Sequence, residues 1–384
     1  MTFSLTAFLT VIFFSSILIV LIWFFLKNNQ LIKQIGIGTL FFCIAVIVIR
    51  LLIPFEFSFA SNLAVDRVFP EIISFLETPV IAFSGYNICL CHILRLLWIT
   101  GAAVGLGKTI RTYACFKRSM DIFSAATDRR IQNALQRVNS KYKKPVAFEV
   151  VQTGIISTPV IFGIRKPRIV VPQMELSEEE WQHILNHETA HYYHGDLWAK
   201  MIIELLCIVY WWNPFVYLLK KQLSKALEIH IDLTVTKPMS EIERIEYLEC
   251  LLKIAKMRAD KESNKLALTF GSESSYTLSQ RVHIVFADFN QKTNVNLKSV
   301  FMAVVPVILL LILSFLFVFE PYSISPRDAA HTVALTSETA YLVQNQDKGY
   351  DVYLDDQYFG TVTEIKDSFS GLPIYKNIEE VQKK

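Results

Sequence analysis

The stretch LSEEEWQHILNHETAHYYHG, residues 176–195, decides the reading of this chain. Ser177 followed by Glu180 has the form of a reciprocal helix cap, and the acids Glu178, Glu179 and Glu180 suit the positive end of a helix dipole. A helix is therefore expected from Glu178 through His191 to about Tyr193, ending before Gly195. On that helix His187 and His191 fall one turn apart on one face, where their imidazoles can bind a single Zn²⁺ together. Glu188, between them, is placed to act as general base on a water held by that ion, which is the logic of a metalloprotease.

A hydrolytic zinc site takes three protein ligands and keeps one position open for water. In metzincins the third is a histidine six residues after the second, with a glycine before it; here those places hold Leu197 and His194. The other route is a glutamate on a later helix. Glu228 fits it, 37 residues after His191, with Asp232 one turn further along the same face. Glu204 is a rival, 13 residues after His191, but it heads into an apolar stretch. Asp232 and Asp196 are candidates to accept a hydrogen bond from a ligating imidazole and fix its tautomer, against simple cap or salt-bridge roles. His183 and His194 are read as structural or substrate-contact residues. His230 is two residues from both Glu228 and Asp232, which turns it off their face.

The composition around this site is that of a membrane protein: 384 residues, of which 19% are charged and 52% hydrophobic. Apolar blocks at residues 1–26, 34–55, 87–107 and 299–319 are each long enough to cross a hydrocarbon core, which takes about 20 helical residues. The first lacks a basic start and a small-residue cleavage site, so it reads as a retained span rather than a signal peptide. Residues 56–77 hold four acids and one Arg, whereas residues 108–144 hold ten Lys or Arg against two Asp. The positive-inside rule then places both termini and the loop at 56–86 outside, and the segment after Lys108 in the cytosol. The basic stretch reads as a topology signal that contacts lipid headgroups; nucleic-acid binding is not expected. None of the six cysteines (Cys43, Cys89, Cys91, Cys115, Cys207, Cys250) falls in an exterior segment, so no disulfide framework is expected there. His92 and Arg95 in the third block either relay a signal or pair within the membrane.

Residues 111–298 form the expected globular domain. It opens with a helix over about 120–142, followed by strands at 146–152, 160–164 and 168–171 that look like a small sheet. Residues 205–219 are uncharged, too short for a span and interrupted by Pro214, so they are expected to lie against or dip into the membrane. Helices over about 216–235 and 240–260 follow, then a polar loop to about 277, and the tail after the last span alternates like a small β module. The fold class expected is a mostly α membrane protein with four transmembrane helices, a cytosolic α+β gluzincin-like zinc domain and a small extracellular β-rich tail of residues 320–384.

Taken together, His187-Glu-Thr-Ala-His191, Gly195-Asp196, Trp212-Asn213-Pro214 and Glu228-Ile-His-Ile-Asp232 resemble the antirepressor-type membrane zinc metallopeptidases of the beta-lactam sensor-transducers. The run from Thr153-Gly154 through Ser157-Thr158-Pro159-Val160-Ile161-Phe162-Gly163 to Pro172 is similar as well, and the likeness covers about residues 1–320. The resemblance implies a bacterial plasma-membrane protease that cleaves itself and promotes removal of a winged-helix repressor in response to an exterior ligand. Its expected partners are that cytosolic substrate, the chain itself, membrane lipids and a second copy in a homodimer. Two departures matter. His230-Ile231 stands where family members often have Ala-Cys, and the roughly 65 residues after the last span carry no Ser-x-x-Lys nucleophile of a penicillin-binding domain. Ser140-Lys141-Tyr142-Lys143 matches those letters on the cytosolic side and is read as coincidence, so direct acylation by a beta-lactam is not expected. A housekeeping membrane protease and a non-catalytic receptor that retains the fold are the competing classes. The segment Thr153 to Gly163 is the candidate to bind substrate as an added strand.

Overall fold

The computed structural model describes residues 5–376 apart from 56, 58, 66–67, 84–85, 124, 127, 263–274, 291–295, 321–334, 336–338, 346–348, 364, 366–368 and 370. The chain divides into two compact units, residues 1–64 with 77–320 and residues 65–76 with 321–384. It is mostly helical. In order come α1 (Leu5–Lys27), α2 (Asn29–Ile35), α3 (Ile37–Leu52), β1 (Ser61–Ala64), α4 (Val68–Glu77), β2 (Pro79–Phe83), β3 (Tyr86–Cys89) and α5 (Leu90–Asp121). Next are α6 (Arg129–Ser140), β4 (Glu149–Thr153), β5 (Val160–Phe162), β6 (Arg168–Pro172), α7 (Glu178–Tyr193), α8 (Asp196–Val209) and α9 (Pro214–Thr236). The chain ends with α10 (Glu241–Glu262), α11 (Ser275–Asn290), α12 (Leu297–Leu316), β7 (Phe317–Glu320), β8 (Ala340–Gln344), β9 (Tyr350–Leu354), β10 (Gln357–Val362) and β11 (Ile374–Tyr375).

Among the described residues, α1, α5 and α12 are long and apolar enough to cross a membrane; α2 and α3 make a fourth span only if a pair bent by 91° counts as one. That bend stands at the start of the apolar block at 34–55, most of which is the single helix α3. It occurs at Gly36, whose φ of 81° belongs to a region that side chains other than hydrogen rarely enter. The 16 residues of α3 rise about 24 Å on their own. Two buried cations tie these helices to their neighbours. Arg50 on α3 donates to Ser314 Oγ and to Ser314 O, both at 2.7 Å, capping a carbonyl in the last turn of α12. Lys225 on α9 and Gln280 on α11 both donate to Leu26 O, at 2.5 and 3.1 Å, at the end of α1.

Several expected boundaries shift. Residues 120–142 are not one helix: α5 runs on to Asp121, and the chain then bridges Ala125 to Val151 on the edge of β4 before Asp128 caps α6. Residues 205–219 are the end of α8, a turn at 210–213 and the start of α9, because Asn213 caps the new helix and Pro214 takes its first position. The loop expected to residue 277 gives way to α11 from Ser275, and the block at 299–319 ends as the strand β7, paired in parallel with β1. Residues 263–274 of that loop lie outside the described residues.

The platform beneath the motif helix is a three-stranded sheet in the order β4-β6-β5, with β6 parallel to β4 and antiparallel to β5. Successive strand residues point to opposite faces. Ile169 and Val171 of β6 pack with Trp181, Ile184 and Leu185 of α7 and with Ile131, Ala134 and Val138 of α6. Val170 faces the other way, against Val151 and Met120. Both faces are covered, which is why these strands read as near-continuous apolar runs. In the second unit β8 to β11 form a four-stranded sheet in the order β10-β9-β8-β11 around Ala340, Leu342, Val352 and Leu372. Asp355 and Asp356, at φ 46° and 62°, make the two-residue β9–β10 turn that a right-twisted hairpin favours.

Candidate metal centre

The motif helix forms where its local signals place it. Ser177 Oγ accepts from Glu180 N at 3.1 Å while Glu180 Oε2 accepts from Ser177 N at 2.8 Å. At the other end the chain turns through Gly195, with a left-handed φ of 79°. That reversal brings Asp196, the first residue of α8, back onto the helix it has just left. Its Oδ2 lies 2.6 Å from His191 Nδ1. Opposite them α9 presents Glu228 and Asp232, one turn apart on the same face.

His187, His191 and Glu228 converge: one ligand atom from each lies within 4.8 Å of the others, the one such group of three among the described residues. Nε2 of His187 is 3.4 Å from Glu228 Oε2, and Nε2 of His191 is 3.5 Å from Glu228 Oε1. Both imidazoles turn their other nitrogen away. His191 gives Nδ1 to Asp196, and His187 Nδ1 lies 2.9 Å from the Tyr247 hydroxyl on α10. That hydroxyl donates its own proton to Asp232 Oδ1 at 2.6 Å, so its oxygen is left to accept from the imidazole N–H. Nε2 of each ring is thereby turned toward Glu228. Asp232 orients His187 mainly through Tyr247, its own oxygen being 3.4 Å from Nδ1. The remaining capacity of Asp232, which has no exposed surface, is met by Arg281 of α11 through Nε at 2.6 Å and Nη2 at 2.8 Å.

The donor set suits a metal. Four ligands bound at about 2.0–2.1 Å in a tetrahedron lie about 3.4 Å apart, the spacing seen between the imidazoles and the carboxylate. Glu228 keeps 23% of its side chain exposed, against 8% and 4% for the two histidines, so the carboxylate is the most accessible of the three groups. Burial opposes ionisation of Glu228, but His191 and Arg281 outweigh it and hold the carboxyl well below its usual range. Burial likewise opposes charge on His191, yet Glu228 and the Asp196 hydrogen bond lift it to about 9. At neutral pH a metal must then displace a proton from the metal-free site. Apparent affinity is expected to fall by about tenfold per unit as pH drops below about 9, with about one proton released per metal near pH 7. Titration calorimetry in buffers of different ionisation enthalpy measures that proton; none released at pH 7 contradicts a His191 that is protonated before metal binds.

The other sequence candidates stand apart from this cluster. Glu204 pairs with Lys220. His230 stacks edge-on against His194, at 5.1 Å between ring centroids, and against Phe41 at 5.3 Å. His183 packs on Tyr247 at 5.9 Å. His92 accepts from Cys89 N at 3.3 Å, so it serves as part of the cap of α5. Glu188 lies 8% exposed on the ligand-bearing helix. Tyr247 and Arg281 were not indicated by motif spacing; the signal for Arg281 is that it is the one Lys, Arg, Asp or Glu between residues 275 and 287.

The family model for the BlaR1 peptidase M56 matches residues 6–285. The chain belongs to this family. It is 28% identical over 203 residues to the regulatory protein BlaR1 of Bacillus licheniformis, a match covering 49% of this chain and 32% of that protein. Against the methicillin resistance mecR1 protein of Staphylococcus aureus it is 24% identical over 214 residues, covering 53% of this chain and 35% of the relative. The same figures hold for the mecR1 protein of Staphylococcus epidermidis. The chain thus matches about a third of the length of these relatives. The peptidase M56 match runs from α1 to α11 and so includes every residue of the cluster.

Proposed function

We propose that this M56 family chain is a membrane-embedded zinc metalloendopeptidase of the gluzincin type, with His187, His191 and Glu228 as metal ligands and Glu188 as general base. The observation that carries the proposal is the convergence of the three ligand side chains with both Nδ1 atoms tied off. Zn²⁺ bound there would polarise the scissile carbonyl and acidify the attacking water. Glu188 would serve as the base that takes a proton from the attacking water and delivers it to the leaving amine. Asp196, and Asp232 through Tyr247, hold the imidazoles in one tautomer. The substrate lies as an added strand along β5, an edge of the sheet that packs on α7.

The basic stretch after Lys108 favours a cytosolic site in a bacterial plasma membrane, with both termini outside. The relatives named as regulatory and resistance proteins favour a signalling role. In that role the chain cleaves itself within residues 260–291 and triggers inactivation of a cytosolic winged-helix repressor when an exterior ligand binds. The test follows fragment sizes and repressor levels in cells that carry wild type or Glu188→Ala. Wild type is expected to yield the fragment and lose the repressor, while the variant stays whole. A stable repressor alongside general clearance of damaged membrane proteins would replace signalling with quality control; cleavage by both chains would remove Glu188 as the base.

A further inference from the structure

We propose that Arg281 is a positioning residue of the metal centre: from α11 it holds the Glu228 carboxylate in the orientation that meets the two imidazoles. This rests on reading His187, His191 and Glu228 as metal ligands. Asp232 has no exposed surface, and a buried carboxylate is tolerated when a paired charge and hydrogen bonds compensate it. Arg281 supplies both, its Nε on Oδ2 and Nη2 on Oδ1, so the guanidinium is anchored by two bonds along one edge. Charge compensation alone would be complete at that point. The third nitrogen, Nη1, is 3.3 Å from Glu228 Oε2, the oxygen that is also 3.4 Å from His187 Nε2. Because the guanidinium is planar and rigid, fixing one edge on Asp232 fixes where Nη1 sits. With Oε2 held, Oε1 is left facing His191 Nε2 at 3.5 Å. Lys200 reaches the same carboxylate only at 4.0 Å from a 42% exposed side chain, so it restrains the group far less. The ligands come from α7 and α9, and the residue that orients the carboxylate comes from α11. The centre is therefore finished by a segment outside the motif helices.

Arg281→Lys keeps a cation beside Asp232 but has no fork with which to reach both carboxylates. The full chain in detergent, loaded with Co²⁺ or Zn²⁺ alone, provides the readouts: metal affinity by chelator competition, and the visible absorption bands of the Co²⁺ form at saturation. We expect affinity to fall by about 10–100-fold, the usual effect of losing an outer partner, and the Co²⁺ bands to shift. Unchanged affinity and unchanged bands, whatever the melting temperature, would assign Arg281 to structural charge pairing and overturn the proposal. If the single change does not fold, Arg281→Met with Asp232→Asn removes both buried charges while leaving Tyr247 an acceptor. The same weakening is expected of it, and wild-type binding would again overturn the proposal. His187→Ala, measured in parallel, separates the two levels. Wild-type metal binding by that variant defeats the metal-centre reading itself, whereas its loss of metal beside a wild-type-like Arg281→Lys defeats only the role given to Arg281.

Discussion

Glu188→Gln is expected to leave the metal in place and to slow peptide hydrolysis by about 100- to 10,000-fold, the usual contribution of a positioned acid–base group. The substitution keeps the shape of the side chain and removes its ability to take a proton. Glu188 is flanked on α7 by two ligand candidates but is not a member of the converging group. Metal retention and proton transfer should therefore separate in this variant. Metal analysis together with self-cleavage or peptide turnover on the same preparation makes the comparison. Retained turnover would move the base elsewhere; lost metal would make Glu188 a structural support of the site.

Glu228→Ala is expected to have the opposite signature, losing stoichiometric metal and activity together. The change removes the one carboxylate of the ligand group and leaves Arg281 Nη1 without the oxygen it faces. Affinity should fall by more than the roughly 10–100-fold that follows loss of an outer partner. Without Glu228, His191 also loses the largest influence raising its pKa, so it deprotonates more readily, which offsets only part of the loss. Glu204→Ala is the matched control, because Glu204 is engaged by Lys220 and its removal should leave metal binding unchanged. Metal held equally by Glu228→Ala and wild type would exclude Glu228 as the third ligand.

What the sequence discloses of this site is what local chemistry encodes. The Ser177–Glu180 cap, the one-turn spacing of His187 and His191 and that of Glu228 and Asp232 are properties of short segments, and the helices form as read. Asp196 follows from the same logic, since a left-handed Gly195 returns it to the helix end. Tyr247 and Arg281 reach the site across 60 and 49 residues of chain, and no local spacing carries such contacts. The break between α5 and α6 was hidden for a similar reason. Helical spacing ran through residues 122–128, while the pairing of Ala125 with Val151 across the sheet took the backbone out of the helix. Gly36 shows the converse, a single residue inside an apolar run whose backbone freedom allows a 91° turn.

The measurement closest to the central claim is the zinc X-ray absorption spectrum of the purified full chain. Two imidazole nitrogens, one carboxylate oxygen and a further light atom at about 2.0–2.1 Å are expected, at one zinc per chain. Absence of stoichiometric metal, or a sulfur neighbour at about 2.3 Å, would contradict a centre built from His187, His191 and Glu228.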